Sequence, residues 1–91
     1  MSVSVLIPTV LRKFTSGKGE VNADGTTIRE VILSLERQFD GLTRNLYQEN
    51  GQVKPFINIY VNDEDIRFLN DLDTAVKEQD TVTILPAIAG G

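Results

Sequence analysis

The chain has 91 residues, of which 41% are hydrophobic and 24% charged, and its net charge at pH 7 is −4. That size fits a single domain with a modest core. The acidic balance argues against nucleic acid or an anionic membrane as partner, because both need a dense basic face, and it suits docking to a basic patch on another protein. The sequence has no cysteine and no histidine, which excludes disulfides, thiol catalysis and the usual zinc ligands.

Nothing in the sequence indicates export or membrane insertion. The first eight residues lack a basic leader and carry only a short apolar run, so they do not resemble a signal peptide. No stretch approaches the roughly 20 apolar residues that span a bilayer. We therefore expect a cytoplasmic protein that is monomeric when no partner is present.

The predicted elements begin with two strands. Residues 2–8 alternate between apolar and other side chains, which predicts a strand with one buried face. That face carries Val3, Val5 and Ile7. Residues 9–19 form a connection in which Gly17 and Gly19 allow a hairpin turn, and residues 20–23 form the second strand.

An amphipathic helix follows over residues 27–39. Thr27 and Glu30 have the spacing of a capping box, in which each side chain satisfies a free backbone N–H. The apolar positions recur at helical spacing, and they are Ile28, Val31, Ile32, Leu35 and Phe39. Asp40-Gly41 then ends the helix.

The second half of the chain returns to strands. Residues 42–54 are compatible with either a short helical turn or a loop. Strands are predicted at residues 56–61, 66–68 and 81–85, the first two joined as a hairpin. A short helical turn is predicted at residues 72–76.

The order of these elements defines a fold class. Two strands, a helix and further strands fit a mixed sheet of about five strands packed on one main helix. The compact solution known for this order is the β-grasp, or ubiquitin-like, α+β fold, in which the first and last strands lie parallel. We expect residues 1–86 to form this domain and residues 87–91 a flexible C-terminal tail.

The tail is the segment with the clearest chemical potential. From Leu85 to Gly91 it carries no charged side chain, whereas ordinary disordered tails are polar or charged. Glycine has no Cβ and can thread a narrow enzyme channel, although small residues are also common at frayed ends. We predict that a partner enzyme activates the carboxylate of Gly91. The threading segment would be Ala87, Ile88, Ala89 and Gly90.

Other candidate sites lack the required patterns. Asp71 and Asp73 do not have the glycine and glutamate of a calcium loop. Gly17-Lys18-Gly19 lacks the spacing of a phosphate-binding loop. We therefore predict no catalytic side chain, no bound metal or cofactor, and no stand-alone enzyme.

The outer face of the sheet is a candidate docking surface. Strand alternation directs four large side chains outward, namely Leu6, Phe56, Tyr60 and Leu85. Exposed apolar residues beside the tail would form a partner docking face. The alternative is that residues 42–54 fold over them, and Phe68 can join either side.

These features resemble the ubiquitin-like sulfur carriers of the MoaD/ThiS family. The hairpin from Phe56 to Phe68 and the ending from Ile84 to Gly91 carry the resemblance, which is strongest to carriers of a cysteine-biosynthesis route. It implies that an E1-like adenylyltransferase and sulfurtransferase uses ATP to adenylate Gly91. Sulfur transfer then produces a thiocarboxylate.

The resemblance also implies a set of partners. A cysteine synthase with pyridoxal phosphate would accept the sulfur, and a zinc-dependent peptidase would release the product, so all three cofactors belong to partners. Several alternatives stay open. They are the small subunit of molybdopterin synthase bound to its large subunit, a carrier for thiamine or tRNA thiolation, a modifier joined to lysines, and a noncovalent interaction domain.

Overall fold

A computed structural model describes residues 2–42, 44, 46–47, 50–54 and 57–86. The strands in this part are β1 (Ser2–Leu6), β2 (Glu20–Asp24), β3 (Ile57–Val61), β4 (Glu64–Asp65) and β5 (Thr81–Pro86). The α-helix is α1 (Ile28–Gln38). Short 3-10 helices cover Thr9–Phe14, Ile66–Phe68 and Asp71–Asp73.

The five strands form one sheet in the order β2-β1-β5-β3-β4. β5 lies at the centre and runs parallel to β1, where Val5 pairs with Val82. The neighbouring pairs are antiparallel, with Val5 opposite Val21 and Ile59 opposite Ile84. The predicted α+β β-grasp architecture, including its parallel first and last strands, is confirmed.

The core lies between one face of the sheet and α1. Alternation buries the inward side chains of β1, β3 and β5, and the helical stripe covers them. The buried side chains of the helical stripe are each 2% exposed or less, and they are Ile28, Val31, Ile32 and Leu35. The outer face of the sheet, which we define as the face turned away from α1, is left uncovered at Leu6 and Leu85.

The start of α1 differs slightly from a capping box. The Thr27 hydroxyl accepts a hydrogen bond from the Glu30 backbone N–H at 3.2 Å. The Glu30 carboxylate accepts from the backbone N–H and hydroxyl of Thr26, at 2.8 and 2.9 Å. The carboxylate therefore satisfies the residue before the cap, which still ties the entering chain to the first turn.

The connection after β1 contains a helix that periodicity did not indicate. Thr9–Phe14 forms a 3-10 turn, and the Leu11 backbone N–H donates to the carbonyl of Pro8 at 2.9 Å. The turn buries Leu11 in the core and leaves Val10 53% exposed.

The predicted strand at residues 66–68 is wrong. Pairing with β3 stops after β4, and Ile66–Phe68 forms a 3-10 turn instead. The reason is local, because the Asp65 carboxylate accepts a hydrogen bond from the Arg67 backbone N–H at 2.9 Å and caps the turn. Ile66 enters the core while Phe68 is 86% exposed.

The helical turn predicted at residues 72–76 begins earlier and is shorter, at Asp71–Asp73. From Thr74 to Val76 the chain is extended beside the start of α1. The Ile28 N–H donates to the Thr74 carbonyl and the Val76 N–H donates to the Thr26 carbonyl, both at 3.0 Å. The Thr74 carbonyl and the Val76 N–H are thus already bonded to the chain around Thr27. They are not free to form the hydrogen bonds that a helix extended to residue 76 would need.

The described part of residues 42–54 packs into the core. Leu42 and Leu46 are fully buried, and Tyr47 forms an isolated bridge with Val53. The Lys54 N–H donates to the carbonyl of Leu46 at 2.8 Å. These residues therefore contribute to the hydrophobic core and leave Leu6 and Leu85 on the outer face exposed.

Candidate functional site

The candidate site lies on the outer face, at the end of β5 from which the C-terminal residues continue. Thr83 pairs with Leu6 on one side and with Tyr60 on the other, so the three side chains form a row across β1, β5 and β3. Leu85 follows two residues further along β5. Leu6 and Leu85 are 37% and 46% exposed, and Tyr60 is half-buried.

The predicted docking residues Leu6, Tyr60 and Leu85 thus share one face, with the outward orientation expected from alternation. Phe56, predicted to join them, lies outside the described residues. The predicted reactive carboxylate of Gly91 and the threading residues 87–90 also lie outside them, so their roles stay predictions.

A groove of about 550 Å³ opens at this end of the sheet. We call it the β5-end groove, and its lining includes Leu6, Val10, Arg12, Thr83, Leu85 and Pro86. Two elements build it, because the end of β5 forms one wall and the 3-10 turn after β1 forms the other. Pro86, the last described residue of the chain, lines the groove.

Sequence reasoning missed Val10 and Arg12, because residues 9–19 lacked a recognisable period. A weak signal was present in Val10-Leu11, two adjacent apolar residues in an apparent connection. Burying Leu11 in a short turn directs its neighbour outward, which explains the exposure of Val10. Arg12 is half-buried, and its Nε donates a hydrogen bond to the Ile7 carbonyl at 3.1 Å.

Two side chains in the described part, Glu30 and Tyr47, have clearly shifted pKa values. Neither of them lines the groove. Hydrogen bonds from the Thr26 backbone N–H and then its hydroxyl lower the pKa of Glu30. Burial raises the pKa of Tyr47, with Arg29 opposing and Glu36 reinforcing that shift. The causes are a helix cap and a partly buried phenol, so both shifts belong to the fold.

The described residues contain no cluster of three or more acidic side chains able to hold a metal ion. An apolar groove with a guanidinium at its edge has instead the composition of a protein contact surface. The geometry therefore favours noncovalent docking next to the end of β5.

Within the described residues, no helix has both the length and the apolar character needed to cross a bilayer.

Residues 5–91 match the model of the ThiS family. The chain belongs to that family, which confirms the resemblance carried by its hairpin and its ending. It is 48% identical to the sulfur carrier protein CysO of Mycobacterium tuberculosis (strain ATCC 25618 / H37Rv), over the full length of both chains.

Two further similarities bear on function. A chain in the crystal structure of the Amycolatopsis orientalis BexX/CysO complex superposes with a TM-score of 0.92 at 48% identity, covering 98% of this chain and 99% of that one. Small archaeal modifier protein 3 of Haloferax volcanii is 38% identical over 68 residues, which are 75% of this chain and 73% of that protein.

Proposed function

We propose that this chain is a sulfur carrier protein that acts as a protein cosubstrate in cysteine biosynthesis. The observation that carries the proposal is its 48% identity, along the whole chain, to a sulfur carrier protein CysO within the ThiS family. The β5-end groove supports it, because an exposed apolar surface lies where the tail begins and a partner enzyme would have to bind.

The chemistry would take place on the carboxylate of Gly91. An E1-like enzyme uses ATP to form the acyl-adenylate and releases pyrophosphate. A persulfide sulfur then attacks the carbonyl carbon and expels AMP. A thiol of the enzyme cleaves the resulting S–S bond, which leaves a thiocarboxylate on Gly91 and a disulfide on the enzyme.

The partners would supply every cofactor in this scheme. The activating enzyme would use ATP. A cysteine synthase with pyridoxal phosphate would transfer the sulfur to an activated serine, and the cysteine formed would become attached to the C-terminus of the carrier. A zinc-dependent peptidase would then cleave that bond and release cysteine. The similar BexX/CysO complex supports docking as the mode of action, since in it a CysO is bound to another protein. All of these partners would act in the cytoplasm.

The experiment uses the absence of cysteine from the sequence. After incubation with the activating enzyme, ATP and a persulfide donor, a thiol-alkylating reagent should label the carrier, because the thiocarboxylate sulfur is the strong nucleophile available to it. Mass analysis of the C-terminal fragment should place the label on Gly91. Alkylation also distinguishes the thiocarboxylate from a chain that is oxidised at Met1. Without alkylation the two are hard to tell apart, because adding an oxygen to methionine changes the mass by nearly the same amount as replacing oxygen by sulfur.

The matched control is a chain that lacks Gly90 and Gly91. It should remain unlabelled under the same conditions, because the carboxylate is then displaced from the enzyme's reacting centre. Failure of the full chain to be labelled by an enzyme that labels a known carrier would contradict the proposal, as would equal labelling of the truncated chain.

A second candidate function is that of a protein modifier joined through Gly91 to lysines of other proteins. The similarity to small archaeal modifier protein 3 favours it. The acyl-adenylate is common to both functions, and an amine then replaces sulfur as the attacking group. Conjugates that survive thiol treatment on a denaturing gel would support this function, whereas thiocarboxylate without conjugates would restrict the chain to sulfur transfer.

A further inference from the structure

The β5-end groove is adjacent to a second, smaller groove of about 230 Å³. We call this one the lysine groove, since Lys13 and Lys54 line it together with Phe14. The two grooves share Val10 and Pro86, which line both. A partner that covers the start of the tail would therefore contact both grooves at once.

The charge of this region is opposite to that of the whole chain. The two grooves are lined by three cations, Arg12, Lys13 and Lys54, and their described lining includes no aspartate or glutamate, although the chain carries a net charge of −4. One acidic residue borders this region, because Glu20 pairs with Leu6 across β1 and β2, and its carboxylate accepts a hydrogen bond from the Ser4 hydroxyl on the outer face. Its charge is thus directed along β1, toward Ser4.

Arg12 is held in a position suited to bind an anion. Its Nε is fixed by the Ile7 carbonyl at 3.1 Å. Its guanidinium lies directly on Gly19, where an added Cβ would come within 2.9 Å of both Cζ and Nη2. With Nε anchored in this way, the terminal nitrogens of the planar group can bind a carboxylate in a bidentate geometry.

We propose that the β5-end groove binds a carboxylate side chain of the partner protein, with Arg12 as the receiving residue and Leu6, Val10 and Leu85 as the surrounding apolar contacts. The partner is thereby defined as a surface that combines apolar side chains with acidic ones. The proposal relies on the proposed function only to name the activating enzyme as one such partner. Fixed guanidinium geometry gives specificity, and the lysines increase the rate of encounter.

The first test needs no partner protein. Hexanoate combines an apolar chain with a carboxylate, and we expect it to bind in the millimolar range, about 1–10 mM. In an NMR titration it should shift the Arg12 Nε–H signal and the methyl signals of Val10 and Leu85 together. Hexanamide, which lacks the charge, should not produce a saturable shift of Arg12, and R12Q should abolish saturable binding of hexanoate.

Two variants distinguish the effect of the position of the Arg12 guanidinium from the effect of the local positive charge. G19A retains Arg12 but displaces its guanidinium, and Gly19 is not in the left-handed region, so we expect the variant to fold and to bind hexanoate as weakly as R12Q. K18Q removes one nearby positive charge that lines neither groove, so its affinity should match the wild type. Equal affinities for wild type and R12Q, or equal losses in R12Q and K18Q, would overturn the proposal.

The second test uses the activating enzyme in the absence of ATP. R12Q should raise the Kd about tenfold or more, R12K should recover part of that loss, and K18Q should stay within about twofold of the wild type. Loss of labelling at Gly91 with Arg12-dependent binding intact would reject the proposed function alone. If removal of Gly90 and Gly91 itself increased hexanoate affinity, the chain's own carboxylate would occupy the site, and the partner assignment would be overturned.

Discussion

At the level of single residues, the start of α1 is the place where charge and backbone are most directly coupled. Glu30 accepts two hydrogen bonds from Thr26, and Thr27 accepts one from the backbone of Glu30. The Thr27 hydroxyl satisfies a backbone donor that the helix leaves free in its first turn, and the Glu30 carboxylate satisfies the donors of the residue before the cap. The carboxylate also lies at the positive end of the helix dipole, which favours its ionised form.

This arrangement predicts a pH dependence. Because the pKa of Glu30 is lowered in the folded chain by its bonds to Thr26, its contribution to stability is complete above the pKa of an unfolded glutamate, about 4.3. That contribution is lost as the pH falls through the lower folded value. Glu30→Gln keeps an accepting oxygen but does not titrate, so its urea midpoint should decrease less on acidification than that of the wild type.

The control for this prediction is Glu78→Gln, at an exposed glutamate in the turn before β5. It removes the same charge without touching a cap. If the two variants flattened the acid limb of the stability curve equally, the effect would come from net charge and not from the cap.

At the level of elements, α1 shows how a strong period determines both a helix and its buried side. Leu35 is fully buried against the sheet, whereas Leu33 on the same helix is 46% exposed. The two leucines have the same chemistry and helix propensity, and differ in what surrounds them. They therefore form a matched pair for measuring the contribution of core packing.

We expect Leu35→Ala to lower the free energy of unfolding by about 2–5 kcal/mol, because it removes transfer energy and leaves a cavity. Leu33→Ala should change it by no more than about 0.5 kcal/mol. Urea unfolding followed by circular dichroism measures both. Similar losses in the two variants would contradict the assignment of the inward stripe.

At the level of the whole molecule, the C-terminal strand has the central position. β5 pairs with β1 on one side and β3 on the other, so the sheet is complete only when the last strand is in place. This position also brings the end of β5 beside the turn that follows β1, where the β5-end groove forms. The same pairing therefore stabilises the fold and builds the docking surface.

Central pairing predicts an order of hydrogen exchange. The hydrogen-bonded amides of β5, such as those near Val82 and Ile84, should exchange most slowly, because their exposure requires separation of two neighbouring strands. The amides of β4 should exchange much faster, since its two residues pair at one edge. NMR exchange rates test this order, and equal protection of β4 and β5 would contradict it.

The sequence by itself determined the elements that depend on nearby residues. The stripe from Ile28 to Leu35 and the alternation of β1, β3 and β5 are local patterns, and they were sufficient to predict the fold class. The family followed from a resemblance carried by the segments from Phe56 to Phe68 and from Ile84 to Gly91. Part of the candidate site followed as well, because alternation alone places Leu6, Tyr60 and Leu85 on the outer face.

The tertiary structure decided what depends on contacts between distant residues. The cap that turns residues 66–68 away from β3 and the joining of Val10 and Arg12 to the end of β5 have no sequence period. The charge of the site was also invisible in the total of −4, because folding gathers Arg12, Lys13 and Lys54 at one end. Periodicity encodes which side of an element is buried, but only packing determines which elements become neighbours.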